Sequence, residues 1–187
     1  MKKERLEAFT DAVLAIIMTI LVLELPKPPE PTLQAIWTLR ESFFAYTLSF
    51  FWLGSMWVSL HYIWNNVEKV STKVIWWNMI LLFFASLIPY TTSLVSTNFD
   101  SKVMQGFYGI IVIALTITNG ILNKVLDEPN RENKRLLNVT KSYRQLLWQD
   151  VVIKLLGLIL AVTVYPPSMM ISVLVAAVFI MSNRRKI

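Results

Sequence analysis

The chain has 187 residues, of which 55% are hydrophobic and 16% are charged, and its mean hydropathy is +0.53. A soluble domain of this size usually carries about 25% charged residues, so the composition excludes an ordinary soluble protein and indicates a membrane protein. Because the sequence has no cysteine, it also excludes disulfides, thiolate metal sites and a cysteine nucleophile.

The first predicted element is a membrane-spanning helix over residues 5–25. Between Ala12 and Leu25 only Thr19 and Glu24 are not apolar. A helix of about 21 residues extends ~31 Å, which is about the thickness of the hydrocarbon core of a bilayer. A secretory signal peptide would have a shorter apolar core and a cleavage site, whereas here a proline-rich segment follows at residues 26–31. We therefore expect a retained helix followed by a stiff, extended connection.

One face of this helix carries a narrow stripe of side chains. At about 100° per residue the stripe consists of Ala12, Ile16, Thr19 and Leu23, with Ile20 beside it. Such a stripe is typical of packing against neighbouring helices. It also fits a pore-lining face, in which Ile16 and Leu23 are apolar rings and Thr19 is a polar ring, although packing is the commoner use of such a stripe. Periodicity alone leaves both interpretations open.

Five further apolar segments follow along the chain. They lie at residues 43–64, 74–95, 103–122, 146–165 and 168–181. The first four are long enough to span a bilayer, and the last is marginal. The sequence therefore predicts an all-α integral membrane bundle of six helices in a single domain, residues 1–187. Residues 123–144 are predicted to be a long polar loop.

Two polar features within the predicted spans have local explanations. Pro89 in the third span predicts a kink, because proline leaves a helical carbonyl without its donor. Asp150 and Lys154 in the fifth span are four residues apart, which predicts a neutralising pair on one helix face.

The distribution of basic residues predicts the orientation. Of the 18 lysines and arginines, only Lys27, Arg40 and Lys102 fall on the opposite side from the N-terminus, and Lys154 lies within a span. The other 14 fall on the N-terminal side, and they include Arg184, Arg185 and Lys186. Both termini are therefore predicted to be cytoplasmic. The net charge of +6 reflects this topology rather than nucleic-acid binding.

A short polar motif precedes the apolar part of the first helix. Arg5, Phe9, Thr10 and Asp11 form the pattern Arg-x-x-x-Phe-Thr-Asp. The motif resembles the signature Arg-x-x-x-Phe-Ser-Asp of the transmembrane-protein-175 family of potassium channels, and Thr10 keeps the hydroxyl of the serine. The likeness covers the whole chain through its six apolar segments.

The resemblance extends to individual residues of the second and third segments, with His61 near the end of one and Asn78 in the other. It implies that His61, Asn78 and a nearby tryptophan hold the motif in place. Trp64, Trp76 and Trp77 are the expected candidates for that tryptophan.

The resemblance also implies a function. It predicts a homotetramer in the bilayer, because this chain has one six-span unit where animal members carry two. The first helix of each copy would line a path for K⁺, which would bind transiently at Thr19. No cofactor is expected, and the expected location is the bacterial inner membrane.

Two other classes of function fit the sequence less well. An intramembrane enzyme would need Asp11 and His61 as acid and base, but the sequence has no metal cluster, nucleophile elbow or glycine-rich phosphate loop. A proton-coupled or cation transporter would need charges near the middle of the membrane and symmetric helix breaks. The expected function is therefore a potassium channel and not an enzyme, with the transporter as the alternative.

Overall fold

The computed structural model describes residues 2–183, which form helices joined by turns and short connections. Eight helices are present in this range: α1 Lys3–Leu23, α2 Leu33–Thr38, α3 Arg40–Trp64, α4 Thr72–Ser86, α5 Ile88–Thr97, α6 Lys102–Asp127, α7 Lys134–Thr163 and α8 Ser168–Asn183. Arg184, Arg185 and Lys186, which contribute to the predicted orientation, lie outside the described residues.

Five helical segments in residues 2–183 are long and apolar enough to cross a membrane. They are α1, α3, the consecutive pair α4 and α5 over Thr72–Thr97, α6 and α7, and each overlaps a predicted span. The sixth predicted span, residues 168–181, corresponds to α8, an apolar helix of 16 residues. At ~1.5 Å per residue α8 extends ~24 Å, against ~30 Å for a hydrocarbon core. α8 is thus the shortest of the six predicted spans.

The third span is interrupted at Leu87, two residues before Pro89. α4 ends at Ser86, and α5 begins at Ile88 with Pro89 in its first turn. A helix tolerates proline best in its first turn, where the missing N–H has no intrahelical partner to lose. The interruption predicted from Pro89 is confirmed.

The predicted long polar loop over residues 123–144 is wrong. α6 continues to Asp127 and α7 begins at Lys134, so only residues 128–133 connect them. The early part of α7 buries one side of an amphipathic helix, formed by Leu136, Val139, Thr140, Tyr143 and Leu147. A search for unbroken apolar runs misses such a helix, because its apolar residues recur only every three or four positions.

The connection after α1 contains a short helix that the sequence did not indicate. The proline-rich residues 26–31 are not helical, as expected, but α2 follows them directly. The hydroxyl of Thr32 accepts a hydrogen bond from the backbone N–H of Ala35 at 3.1 Å and so caps α2.

A buried ion pair lies where α3, α6 and α7 meet. The ammonium of Lys154 donates to Asp150 Oδ2 at 2.7 Å and to Thr116 Oγ1 at 2.9 Å. It also lies 4.7 Å from the centre of the Trp52 ring. Neither charged side chain is more than 2% exposed. The pairing predicted from the four-residue spacing is confirmed.

α1 packs on the bundle through one side only. It contacts α3, α4 and α5, whereas α6 packs on α4 and α5 as well as on α7 and α8. The buried residues of α1 recur every three or four positions: Leu6, Thr10, Leu14, Ile17 and Leu21. The other side of α1 therefore remains uncovered in the protomer.

Candidate functional site: the α1 stripe and its supporting contacts

Thr10 fixes the start of α1 against α4. Its hydroxyl donates to the carbonyl of Leu6 at 2.8 Å and accepts a hydrogen bond from Asn78 Nδ2, also at 2.8 Å. Both Thr10 and Asn78 are buried. Asn78 therefore contacts the motif directly, as predicted. Its partner in the motif is Thr10 and not a charged residue.

Asp11 fixes α1 against α3. Its Oδ1 accepts a hydrogen bond from the indole Nε1 of Trp57 at 2.8 Å. The Trp57 ring stacks on His61 with centroids 5.8 Å apart and an interplanar angle of 26°. His61 Nδ1 in turn lies 3.9 Å from a carboxylate oxygen of Glu7. One turn of α3 thus contacts two acidic residues of α1.

The tryptophan beside the motif is Trp57, which corrects the expectation of Trp64, Trp76 or Trp77. Trp64 is buried, and its indole nitrogen has no hydrogen-bond partner among the described residues. Trp76 is 67% exposed. Trp57 precedes His61 by four residues and lies on the same helix face, but Trp64, three residues after His61, meets the same criterion, so the spacing alone does not choose between them.

The other two motif residues point away from the bundle. Phe9 is 46% exposed, and Arg5 is exposed as well. Within residues 2–183 the Arg5 side chain makes no hydrogen bond or ion pair. The motif therefore has two halves in the protomer: Thr10 and Asp11 bind neighbouring helices, while Arg5 and Phe9 lie at the uncovered surface.

The predicted stripe of α1 lies on this same uncovered surface. All five residues are exposed in the protomer, namely Ala12, Ile16, Thr19, Ile20 and Leu23. Exposure reaches 58% at Ile16 and 78% at Leu23, whereas Leu14 and Ile17 on the opposite side are at most 4% exposed. The protomer therefore presents the stripe along the length of the helix to lipid or to another protein surface.

Thr19 is the polar member of the stripe. Its hydroxyl donates to the carbonyl of Ile16 at 2.8 Å, so its oxygen lone pairs still point outward. An oxygen in this state can coordinate a monovalent cation, provided that further oxygens approach from other copies. No group of three or more His, Cys, Asp or Glu side chains that could hold a metal ion occurs within residues 2–183.

Comparison with known proteins identifies the family to which this chain is similar. Residues 5–89, from the motif to the α5 proline, match the family described as endosomal/lysosomal potassium channel TMEM175. A protein named potassium channel from Chryseobacterium sp. (strain P1-3) is 38% identical over 136 residues, which are 73% of this chain and 71% of that protein. The chain belongs to the TMEM175 family.

Two further proteins named TMEM175 are similar to this chain. The crystal structure of a lysosomal potassium-selective channel TMEM175 homolog from Chamaesiphon minutus matches with a TM-score of 0.74, 24% identity and 97% of each chain covered. This match confirms the predicted all-helical membrane fold. The endosomal/lysosomal proton channel TMEM175 of Rattus norvegicus is 30% identical over 101 residues, which are 48% of this chain but 20% of that protein.

Replacing Thr10 with valine should destabilise this TMEM175 protein. The buried Asn78 amide would lose its hydrogen bond to Thr10, and its Oδ1 already lacks a partner among the described residues. A buried polar group left unsatisfied costs about 1–3 kcal/mol, so the melting temperature of the purified protein should fall. Thr10→Ser, which has the residue of the family signature, keeps the hydroxyl and is the control. Equal melting temperatures for the two variants would contradict the proposed role of this bond.

Proposed function

We propose that this protein is a potassium-selective channel in which four copies surround a central path with their α1 helices. The observation that supports the proposal best is the division of α1 into a buried side and an uncovered stripe. One helix cannot enclose a path, so several chains must contribute to it. The number four comes from the family resemblance.

The proposed mechanism assigns different tasks to the apolar and polar residues of the stripe. Rings of Ile16 and Leu23 would narrow the path and disfavour water, with Ala12 and Ile20 on the same wall. The Thr19 oxygens, with carbonyls of the preceding turn, would replace part of the hydration shell of K⁺. Since K⁺ sheds water more readily than Na⁺, this partial replacement would favour K⁺.

The proposed location is the bacterial inner membrane, with both termini in the cytoplasm. This orientation follows from the excess of lysine and arginine on the N-terminal side. It would put the contacts of Asp11 and His61 at the cytoplasmic end of α1. Glu24, which is exposed just after α1, would then lie at the outer mouth and raise the local concentration of cations.

The test is a flux measurement on the purified protein in liposomes. A K⁺ gradient should drive flux through the protein, and a Na⁺ gradient of the same size should drive less. The mass of the protein in mild detergent should be that of a tetramer. A monomeric mass with flux retained, or equal K⁺ and Na⁺ fluxes, would contradict the proposal.

A proton-coupled or cation transporter is the second candidate. The observation in its favour is the buried pair of Lys154 and Asp150, and the rat relative is named a proton channel. Against it, the two charges neutralise each other, and a proton relay needs a chain of such groups. Liposomes with an internal pH indicator separate the two functions: K⁺ flux that is insensitive to an imposed pH gradient supports the channel.

Alanine substitution of Arg5 or Asp11 should impair assembly more than ion preference. Asp11→Ala removes the acceptor of the Trp57 bond, and Arg5 in a tetramer is placed to find its partner on another chain. The fraction of tetramer in mild detergent should fall several-fold for either variant. Lys2→Ala, which removes an exposed cation before α1 begins, is the control and should leave the fraction unchanged. Variants that assemble normally but lose K⁺ preference would place the motif in the conduction path.

A further inference from the structure

A cleft of about 480 Å³ opens between α6 and α7, away from the α1 stripe. This volume is within the range of small-molecule sites, which is about 300–1,000 Å³. Its apolar walls are formed by one face of each helix, with Ile117, Gly120 and Ile121 from α6 and Leu147, Trp148 and Val151 from α7. The cleft therefore runs along both helices within the segments that cross the membrane.

The deep end of the cleft offers no free hydrogen-bond donor. The hydroxyl of Thr116, which lines this end, donates to the carbonyl of Val112 at 3.0 Å and accepts from Lys154 at 2.9 Å. A ligand group that reaches this depth finds no donor for a negative charge, so the deep end favours an apolar group.

The mouth of the cleft carries two cations, Lys124 in the last turn of α6 and Arg144 in the first half of α7. Lys124 is exposed, and its ammonium has no hydrogen bond or ion pair within residues 2–183. Arg144 uses Nη1 for Asp127 Oδ2 at 2.6 Å and for the carbonyl of Asn123 at 3.3 Å. Its other N–H groups make no hydrogen bond to any residue that the structure describes. Because Asp127 compensates the charge of Arg144, Lys124 supplies the net positive charge at the mouth.

An apolar groove within a membrane that ends in a cationic mouth complements an amphiphile with a negative head. We propose that the cleft binds an anionic phospholipid, with its phosphate at Lys124 and the free N–H groups of Arg144. One acyl chain lies along Gly120 and Leu147. Trp148, which is 69% exposed at the rim, occupies the level of the headgroups, where tryptophan is enriched in membrane proteins.

The experiment is native mass spectrometry of the purified full-length protein, titrated with phosphatidylglycerol and with phosphatidylcholine of the same acyl chains. The wild type should prefer phosphatidylglycerol. Lys124→Gln should weaken phosphatidylglycerol binding about fivefold and phosphatidylcholine binding less, because the choline cation offsets the charge of the phosphate that both lipids carry. The control is Lys134→Gln, which removes the same charge from an exposed lysine outside the cleft and should change neither affinity. Equal losses for Lys124→Gln and Lys134→Gln would indicate diffuse attraction and overturn the proposal.

A second variant tests the apolar part of the cleft. A Cβ at Gly120 would lie 3.8 Å from Leu147 Cδ1, an ordinary contact, so a larger side chain can enter the cleft without displacing the backbone. Gly120→Leu should weaken the binding of both lipids, and Gly120→Ala should do so to a smaller extent if the leucine variant does not fold. Unchanged lipid binding in the folded variants would overturn the proposal, as would loss of the oligomer, which would indicate a second copy in the cleft. None of these readouts depends on K⁺ flux.

Discussion

Ile16→Asn is expected to raise the ion flux through the protein and to lower its preference for K⁺ over Na⁺. Ile16 is 58% exposed on the uncovered side of α1, and in the proposed tetramer its ring is an apolar constriction. A polar amide at each Ile16 position would hydrate this constriction, so that ions pass with more of their water retained. Liposome fluxes of K⁺ and Na⁺ with the wild type and the variant measure both effects.

Thr19→Val separates ion coordination from pore width at the same stripe. Valine has nearly the volume of threonine but no hydroxyl oxygen, so the path should keep its width and lose a ligand. If the four lost oxygens together favour K⁺ over Na⁺ by about 1 kcal/mol, the K⁺ to Na⁺ flux ratio should fall about fivefold. Total flux should change less than in Ile16→Asn. Tetramers of both variants with unchanged K⁺ preference would place the pore elsewhere.

Leu14→Asn is the control for position on the helix. Leu14 lies on the same helix but is 1% exposed in the core of the protomer. An asparagine there loses apolar burial and buries an amide without a designed partner, which costs about 3 kcal/mol in total. The yield of folded protein should therefore fall, and the protein that does fold should keep its K⁺ preference. Substitutions on the uncovered side of α1 should therefore alter ion permeation, whereas a substitution on its buried side should impair folding.

The helices of the bundle could be predicted wherever apolar residues run without interruption. α1, α3, α6 and the pair α4 and α5 all overlap their predicted spans, and Pro89 marked the break within the third. The start of α7 does not have such a run, because its apolar residues are spaced by three or four positions among lysines and arginines. That part of α7 is helical because it packs on α6, where Arg144 binds Asp127, and such long-range contacts are not visible in a local pattern.

The contacts that hold the motif were also only partly predictable, because they too depend on long-range packing. The sequence identified His61 and Asn78 through the resemblance, but it could not say which motif residue each would contact. The choice depends on the relative rotation of α1, α3 and α4, which sets Asn78 against Thr10 and Trp57 against Asp11. By contrast, the pair of Asp150 and Lys154 was predictable, because both charges lie on one helix and need no knowledge of packing.

Lys154→Met is expected to cause the largest loss of stability among single substitutions in the core. It would leave the Asp150 carboxylate, which is 2% exposed, without its counter-charge where α3, α6 and α7 meet. Removing one partner of a buried pair costs about 3–5 kcal/mol, because the remaining charge is desolvated and unpaired. Thr116 keeps its hydrogen bond to the carbonyl of Val112, so the loss of stability comes from the unpaired Asp150 carboxylate.

The double variant Lys154→Met, Asp150→Leu distinguishes this explanation from a simple loss of packing. Replacing both charges with apolar groups of similar size removes the unpaired charge, so the double variant should recover most of the stability lost in Lys154→Met.

The exposed pair of Lys73 and Glu128, at 3.3 Å and with each side chain more than half exposed, provides the control. Because solvent screens that pair, Lys73→Met should cost less than about 1 kcal/mol. Melting temperatures in detergent, followed by tryptophan fluorescence, should therefore rank Lys154→Met far below the other two variants. A Lys154→Met protein as stable as Lys73→Met would mean that water reaches the Asp150 carboxylate and that the pair is not a closed part of the core.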